Sequence, residues 1–170
     1  MTKKANPDSP AELDAIDATA LATLLEQGRV TWADLGAELG LSAPAAAERV
    51  RRLEASGVIR SYAALLDAQR LGYTLTAFVS VTLERSKHAP AFLKMIAALP
   101  EVQECHHVAG EHDYLLKVRC RNTLDLERII AQHLKAESLV ARTHTTIVLS
   151  TSKETPALPI HATPPIQHDD

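Results

Sequence analysis

Three clusters in this 170-residue chain carry side chains able to do chemistry. The first is Glu48-Arg49-Val50-Arg51-Arg52, a few residues after Leu41-Ser42-Ala43. Arginine makes bidentate bonds to guanine and bonds to phosphate, so this cluster reads as a contact for nucleic acid. The second is Gly110-Glu111-His112-Asp113. A glycine leaves backbone N–H groups open to an anion, and an aspartate offers a carboxylate to an ammonium. Together they suit a zwitterion such as an amino acid. The third is Cys105-His106-His107, whose residue types suit a thiol nucleophile.

Neighbouring residues on a strand point to opposite faces, so Cys105 and His106 do not form a nucleophile and its base. Cys105, His106, His107, His112 and His144 could approach one another across strands, but no C-x-x-C or H-E-x-x-H spacing is present. No catalytic residue and no metal site is assigned. On the residues alone the Gly110–Asp113 loop reads first as an ordinary hairpin turn. Glu48 and Arg52 could pair four residues apart on a solvated helix face. Against that, residues 42–60 hold four Arg and two Glu in a chain whose formal net charge is -3. Charge is therefore concentrated locally, as a DNA surface requires. An architectural DNA binder with little sequence preference is the remaining alternative.

Bulk composition narrows the classes. Hydrophobic residues are 46% and charged residues 23%, a globular balance. Aromatics are 4%, too few for the stacking platforms of single-strand binders. Two cysteines make no disulfide framework. No apolar run has membrane length and no secretory leader pattern is evident, so a cytoplasmic protein without membrane attachment is expected.

The elements that must position these clusters follow from periodicity. A helix is expected from a Ser9 cap through Leu13, Ile16, Ala20, Leu21, Leu24 and Leu25 to Gly28. Asp17 falls on its apolar stripe and is expected to pair structurally, through an Arg of a later helix. Thr31 caps a second helix with Trp32, Leu35 and Leu39 inside, and Gly40 stops it. Ser42 caps a third helix running to about Ser56, with Ala46, Val50 and Leu53 inward. This is the helix-turn-helix layout, spanning residues 13–60. In it the N-terminal residues of the second helix of the motif meet base edges. The expected DNA contacts are Ser42, Ala43, Ala45, Glu48, Arg49, Arg51 and Arg52, with Arg60 on phosphate. Residues 58–62 read as the start of a strand, a small wing.

Beyond this, Tyr73–Glu84 alternates as a half-buried strand. Pro90 opens a helix bearing Phe92, Leu93, Ile96 and Leu99, stopped by Pro100. Strands follow at 102–108 and 114–119, then a helix capped by Thr123 with Leu126, Ile129, Ile130 and Leu134 inside, then a strand at 139–149. The order βαββαβ is ferredoxin-like. Two helices cover one sheet face only. The other face carries Phe78, which points to a homodimer. The predicted fold class is α+β: an N-terminal winged helix-turn-helix followed by a C-terminal ferredoxin-like βαββαβ domain. The expected organisation is a disordered terminus at 1–9, the DNA-binding domain at 10–62, a linker at 63–71, the effector-binding and oligomerisation domain at 72–151, and a flexible Pro-rich tail at 152–170.

The residues resemble the Lrp/AsnC, or feast/famine, family of transcriptional regulators, and look closer to its leucine-responsive branch than to its distant members. The resemblance covers residues 13–150. It rests on Leu13-Asp14-Ala15-Ile16-Asp17, Leu41-Ser42, Glu48-Arg49-Val50-Arg51-Arg52-Leu53-Glu54, Gly57-Val58-Ile59, Val102-Gln103-Glu104-Cys105-His106, Gly110-Glu111-His112-Asp113-Tyr114-Leu115-Leu116-Lys117 and Thr143-His144-Thr145. It implies a partner in double-stranded DNA, dimers assembling into octamers, and a small effector, commonly an amino acid, in place of any cofactor. It turns Gly110, Glu111, His112 and Asp113 into effector residues. It adds His107, Thr123, Lys135 and Thr146 near the same pocket.

Overall fold

In a computed structural model, residues 11–134 and 138–162 are described. The chain divides into two compact units. One holds the described residues up to Ala64 and those from Thr155 on; the other is Leu65–Glu154.

The first unit contains α1 (Ala15–Glu26), α2 (Trp32–Leu39) and α3 (Ala43–Ala55). Its core is Ala20, Leu35, Leu39, Ala46 and Val50, with Ile16, Leu24, Val30, Leu41 and Ile59 packed around it. The expected cap at Ser9 is corrected. Residues 11–14 are not helical, and Asp14 caps α1 by accepting from the Asp17 N–H at 2.7 Å. A carboxylate at that position satisfies a free N–H of the first turn and so sets the start. Ser9 itself lies outside the described residues. Leu25 and Trp32, expected in the core, are about half exposed.

Thr31 and Ser42 cap α2 and α3 as the sequence predicts, accepting from the N–H groups of Asp34 and Ala45. Gly40, at φ 65°, is the left-handed stop between them. The turn is closed by the Leu41 N–H donating to the Gly36 carbonyl at 2.8 Å. A Cβ on Gly36 would lie 2.8 Å from the Leu41 carbonyl oxygen, so only glycine permits this approach. Residues 58–62 form no strand; they run irregularly behind α3. Their fixing bonds go to α3 instead, from the Ile59 N–H to the Leu53 carbonyl and from the Tyr62 hydroxyl to Glu54.

The second unit contains β1 (Leu75–Leu83), α4 (Ala89–Ala97), β2 (Val102–His107), β3 (Tyr114–Cys120), α5 (Thr123–Arg128) and β4 (Val140–Ile147). The helix of α5 continues as a wider π-turn over Ile129–Leu134. The sheet is antiparallel throughout, in the order β2-β3-β1-β4. Alternation on β1 buries Ala77, Val79, Val81 and Leu83 on the helix-covered inner face. Tyr114, Leu116, Val118 and Cys120 of β3 join them, with Phe92, Ile96, Leu126, Ile129 and Leu134 from the helices. Two expectations change. Leu93 is exposed. Asn122, rather than Thr123, caps α5 by accepting from the Asp125 N–H at 2.9 Å.

The outer face carries Phe78, Lys117, Arg119, His144 and Thr146, by the pairing register. Residues beyond β4 do not leave it at once. The Val148 N–H donates to the Thr76 carbonyl, and Glu154 accepts from Lys117 and Arg119. The expectation of a free tail from residue 152 is therefore corrected at Glu154. Two cations on a sheet face fix the carboxylate that follows them.

Candidate nucleic-acid interface and ligand loop

Helix α3 sorts its residues by face. Ala46, Ala47, Val50 and Leu53 are buried. Ser42, Pro44, Ala45, Glu48, Arg51 and Arg52 are exposed, and Ala43 is half-buried. The small residues lie at the N-terminal end, where a groove could approach the backbone closely. Glu48 accepts from Arg51 at 2.9 Å, in place of the Glu48–Arg52 pair that the spacing offered. Both partners are well exposed, so the pair remains exchangeable with solvent. Arg52 is exposed and lies 3.9 Å from Asp17. Arg60 is exposed beyond the helix.

Arg49 is different. Its Nη1 donates to Asp14 at 2.6 Å and to Asp17 at 2.7 Å. Its side chain is only 20% exposed and that of Asp17 8%. The arginine is turned into the unit and ties α3 to the start of α1, so it is not presented outward with Arg51 and Arg52. Asp17 thus has the structural partner expected for it. Asp14 was missed as a functional position, although the Asp14-x-x-Asp17 spacing is a capping signal. The Asp17 N–H and then Arg49 hold the Asp14 carboxyl below its ordinary range. The two carboxylates raise the Arg49 guanidinium. The Tyr62 phenol is pushed up to about 12 by burial and by Glu54 beside it, so it stays a donor to the end of α3.

The Gly110–Asp113 loop joins β2 to β3 and is pinned to β1. The Asp113 N–H donates to the Val81 carbonyl at 2.9 Å, and its Oδ2 accepts from the Leu83 N–H at 2.7 Å. One carboxylate oxygen is thus occupied. Space above Gly110 is open. Glu111 accepts from Arg142 at 3.2 Å, both exposed. His112 Nδ1 lies 3.2 Å from the Thr82 hydroxyl, and its ring stacks parallel to His144 at 6.4 Å.

The remaining expected residues do not gather here. His107 pairs with Tyr114 and so shares the inner face, its ring 5.1 Å from the tyrosine. Thr146 pairs with Phe78 on the outer face. Thr123 stands at the far end of β3, roughly 20 Å along the strand at the usual rise per residue. There it lines a cleft of about 400 Å³ with Leu126, Glu127, Ile130, Ala131 and Ile147. Lys135 lies outside the described residues.

The third cluster is dispersed. Cys105 pairs with Leu116 on the inner face, and His106 with Leu115 on the outer. Burial pushes the Cys105 thiol up, opposite to what a nucleophilic thiolate needs. Among the described residues no group of three or more His, Cys, Asp or Glu could hold a metal ion.

A three-helix unit with a capped turn and an outward basic strip is followed by a sheet unit carrying a pinned loop, and the matches to known domains make this arrangement that of a DNA-binding transcription regulator with a ligand-binding domain. Residues 13–54 match the AsnC-type helix-turn-helix domain, and residues 76–158 the Lrp/AsnC ligand binding domain. The chain belongs to the Lrp/AsnC family. It is 39% identical over 145 residues to a leucine-responsive regulatory protein of Rhizobium meliloti, covering 84% of this chain and 93% of that one. It is 37% identical over 153 residues to the leucine-responsive regulatory protein of Escherichia coli, covering 88% and 92%. Among solved structures, a transcriptional regulator of Neisseria meningitidis in complex with L-Met superposes with a TM-score of 0.83 at 30% identity, covering 86% of this chain and 96% of that one. Escherichia coli AsnC superposes at 0.82 and 25% identity, covering 88% and 100%. These relatives are regulators, and this chain is a regulator rather than an enzyme.

Proposed function

We propose that α3 reads operator DNA and that an amino acid, bound at the Gly110–Asp113 loop, modulates that reading. The observation that carries it is the outward strip of α3. Ser42, Ala43, Ala45 and Glu48 lead into the groove, Arg51 and Arg52 supply the cations, and Arg60 adds a phosphate contact. Arg49 acts by holding the helix in place. Glu48 serves as a mask on Arg51 that DNA displaces.

For the effector, open space at Gly110 offers backbone donors to a carboxylate, and Asp113 offers its second oxygen to an ammonium. Glu111 and His112 belong to the loop itself, and His107 ends β2 three residues before it on the inner face. A relative carries L-Met, and an amino acid is the ligand class that fits both charges. Thr123 stands a strand length away and Thr146 on the outer face, so these two, and Lys135, serve the site only if a second copy brings them to it. The exposed Phe78 face is the surface for a homodimer, and dimers of this kind stack into octamers. The protein works in the cytoplasm. The units correspond to a reader over 10–62, a linker over 63–71 and an effector and assembly domain over 72–151.

Binding to the chain's own upstream DNA, at two salt concentrations and with a panel of amino acids, tests this reading. Affinity should exceed that for random DNA and shift with at least one amino acid. Equal affinity for both DNAs would favour an architectural binder. No shift with any amino acid would remove the proposed effector class.

A further inference from the structure

Lys117 and Arg119 stand two residues apart on the outer face of β3, both with more than four-fifths of the side chain buried. Their partners come from two directions. Glu104 of β2 accepts from Lys117 at 3.0 Å, and Glu104 is itself 3.2 Å from His106 Nε2. Glu154, seven residues past the end of β4, accepts from both cations. Residues 148–154 thereby lie across the sheet beside Thr76 and Phe78, enclosing a cavity of about 310 Å³. Lys117 is raised first by Glu154, and Glu154 is lowered first by Lys117 and then by Arg119.

The charge arithmetic of this cluster is simple. Two cations meet two carboxylates, so the cluster is neutral with Glu154 in place and +1 without it. In a two-fold dimer each surface meets its own copy, so an unbalanced charge faces its like. Like charges brought together out of water are strongly unfavourable.

We propose that Glu154 is a latch that neutralises the Lys117–Arg119 pair within each chain and thereby permits two copies to pair through their outer sheet faces. The inference rests on the outer face being the self-association surface, as proposed above. The latch does not bind the second copy. It removes the charge that would repel it. His106, His112, His144, Lys153 and the Glu111–Arg142 pair are the other ionisable groups on or bordering this face; the one anion among them is held by Arg142, so none of them balances Arg119.

Sedimentation of the full-length chain across a concentration series tests the latch, using Glu154→Gln and the double variant Glu154→Gln/Arg119→Gln. The single variant leaves +1 and should weaken self-association about tenfold, a deficit that shrinks in high salt. Proteolysis within residues 149–154 should quicken while the amides of β1 and β3 stay protected from exchange, which shows that the fold persists. The double variant restores neutrality through Lys117–Glu104 and should recover association even though the strap stays loose. A wild type that dimerises no better than Glu154→Gln overturns the latch alone. So does a double variant that fails to recover. A wild type that remains monomeric at every concentration overturns the pairing surface, and the latch with it.

Discussion

The helical unit and the sheet unit each hold a charged residue whose type suits an outside partner, Arg49 in one and Asp113 in the other. Arg49 sits between two carboxylates of its own unit and is largely covered. Asp113 has one oxygen on the Leu83 N–H and is half-buried. The difference lies in how much bonding capacity the fold leaves over. A guanidinium clamped by two anions has little reason to leave them for phosphate. A carboxylate with one oxygen engaged keeps acceptor sites for an ammonium. Residue type nominates both equally, and only the count of partners separates a positioning group from a binding group.

The sharpest way to break this comparison is Arg49→Ala. It leaves the buried Asp17 with only the exposed Arg52, 3.9 Å away, in place of its close cation, and losing a buried partner costs up to about 3–5 kcal/mol. Denaturant unfolding of the helical unit should show a loss of that order. Unchanged stability with lost DNA binding would make Arg49 a contact after all. Acid sharpens the same point. The Asp14 carboxyl titrates below its usual 3.8 in the folded chain, so its contribution is present above that value and fades as pH falls through the lower one. Arg49→Ala should make that acid limb shallower without removing it, since the Asp17 N–H still lowers the Asp14 carboxyl.

Asp113→Asn keeps an acceptor for the Leu83 N–H and removes the charge. Amino-acid affinity should fall by about 2–3 kcal/mol, as for a lost charge-assisted bond, while stability moves by about 1 kcal/mol or less. A normal amino-acid response in this variant would place the effector elsewhere. Arg51→Ala and Arg52→Ala should each weaken DNA binding by about 1 kcal/mol, whatever the sequence, and lower the salt slope by about one contact. Base-specific loss would instead make the residue a reader of sequence. Tyr62→Phe removes one hydrogen bond to Glu54 and should cost below about 1 kcal/mol, seen as a small shift in melting temperature. A larger loss would mean that the chain behind α3 does much of what a wing strand was expected to do.

Much of this is legible in the sequence. Thr31, Ser42 and Gly40 announce the turn because caps and a left-handed stop are local chemistry. The alternation of β1 and the βαββαβ order follow from burial periods. What escaped was set by distance in sequence. The Asp14–Arg49 bond spans 35 residues and the Glu154–Arg119 bond the same, and no local pattern encodes either. The wing strand failed because a strand needs a neighbouring strand, and residues 58–62 bond to a helix. Thr123 and Gly110 are drawn together by family resemblance, while one chain holds them apart by the length of β3.

Leu41 is the only residue between the left-handed Gly40 and the capping Ser42, in a turn closed on Gly36. A single inserted residue would rotate α3 by about 100° about its axis and carry Arg51 and Arg52 away from the outward strip. Length variation in this protein is therefore expected at residues 63–72 or past Glu154, while the four-residue interval from Gly36 to Gly40 and the step to Ser42 work as a gauge that tolerates neither gain nor loss.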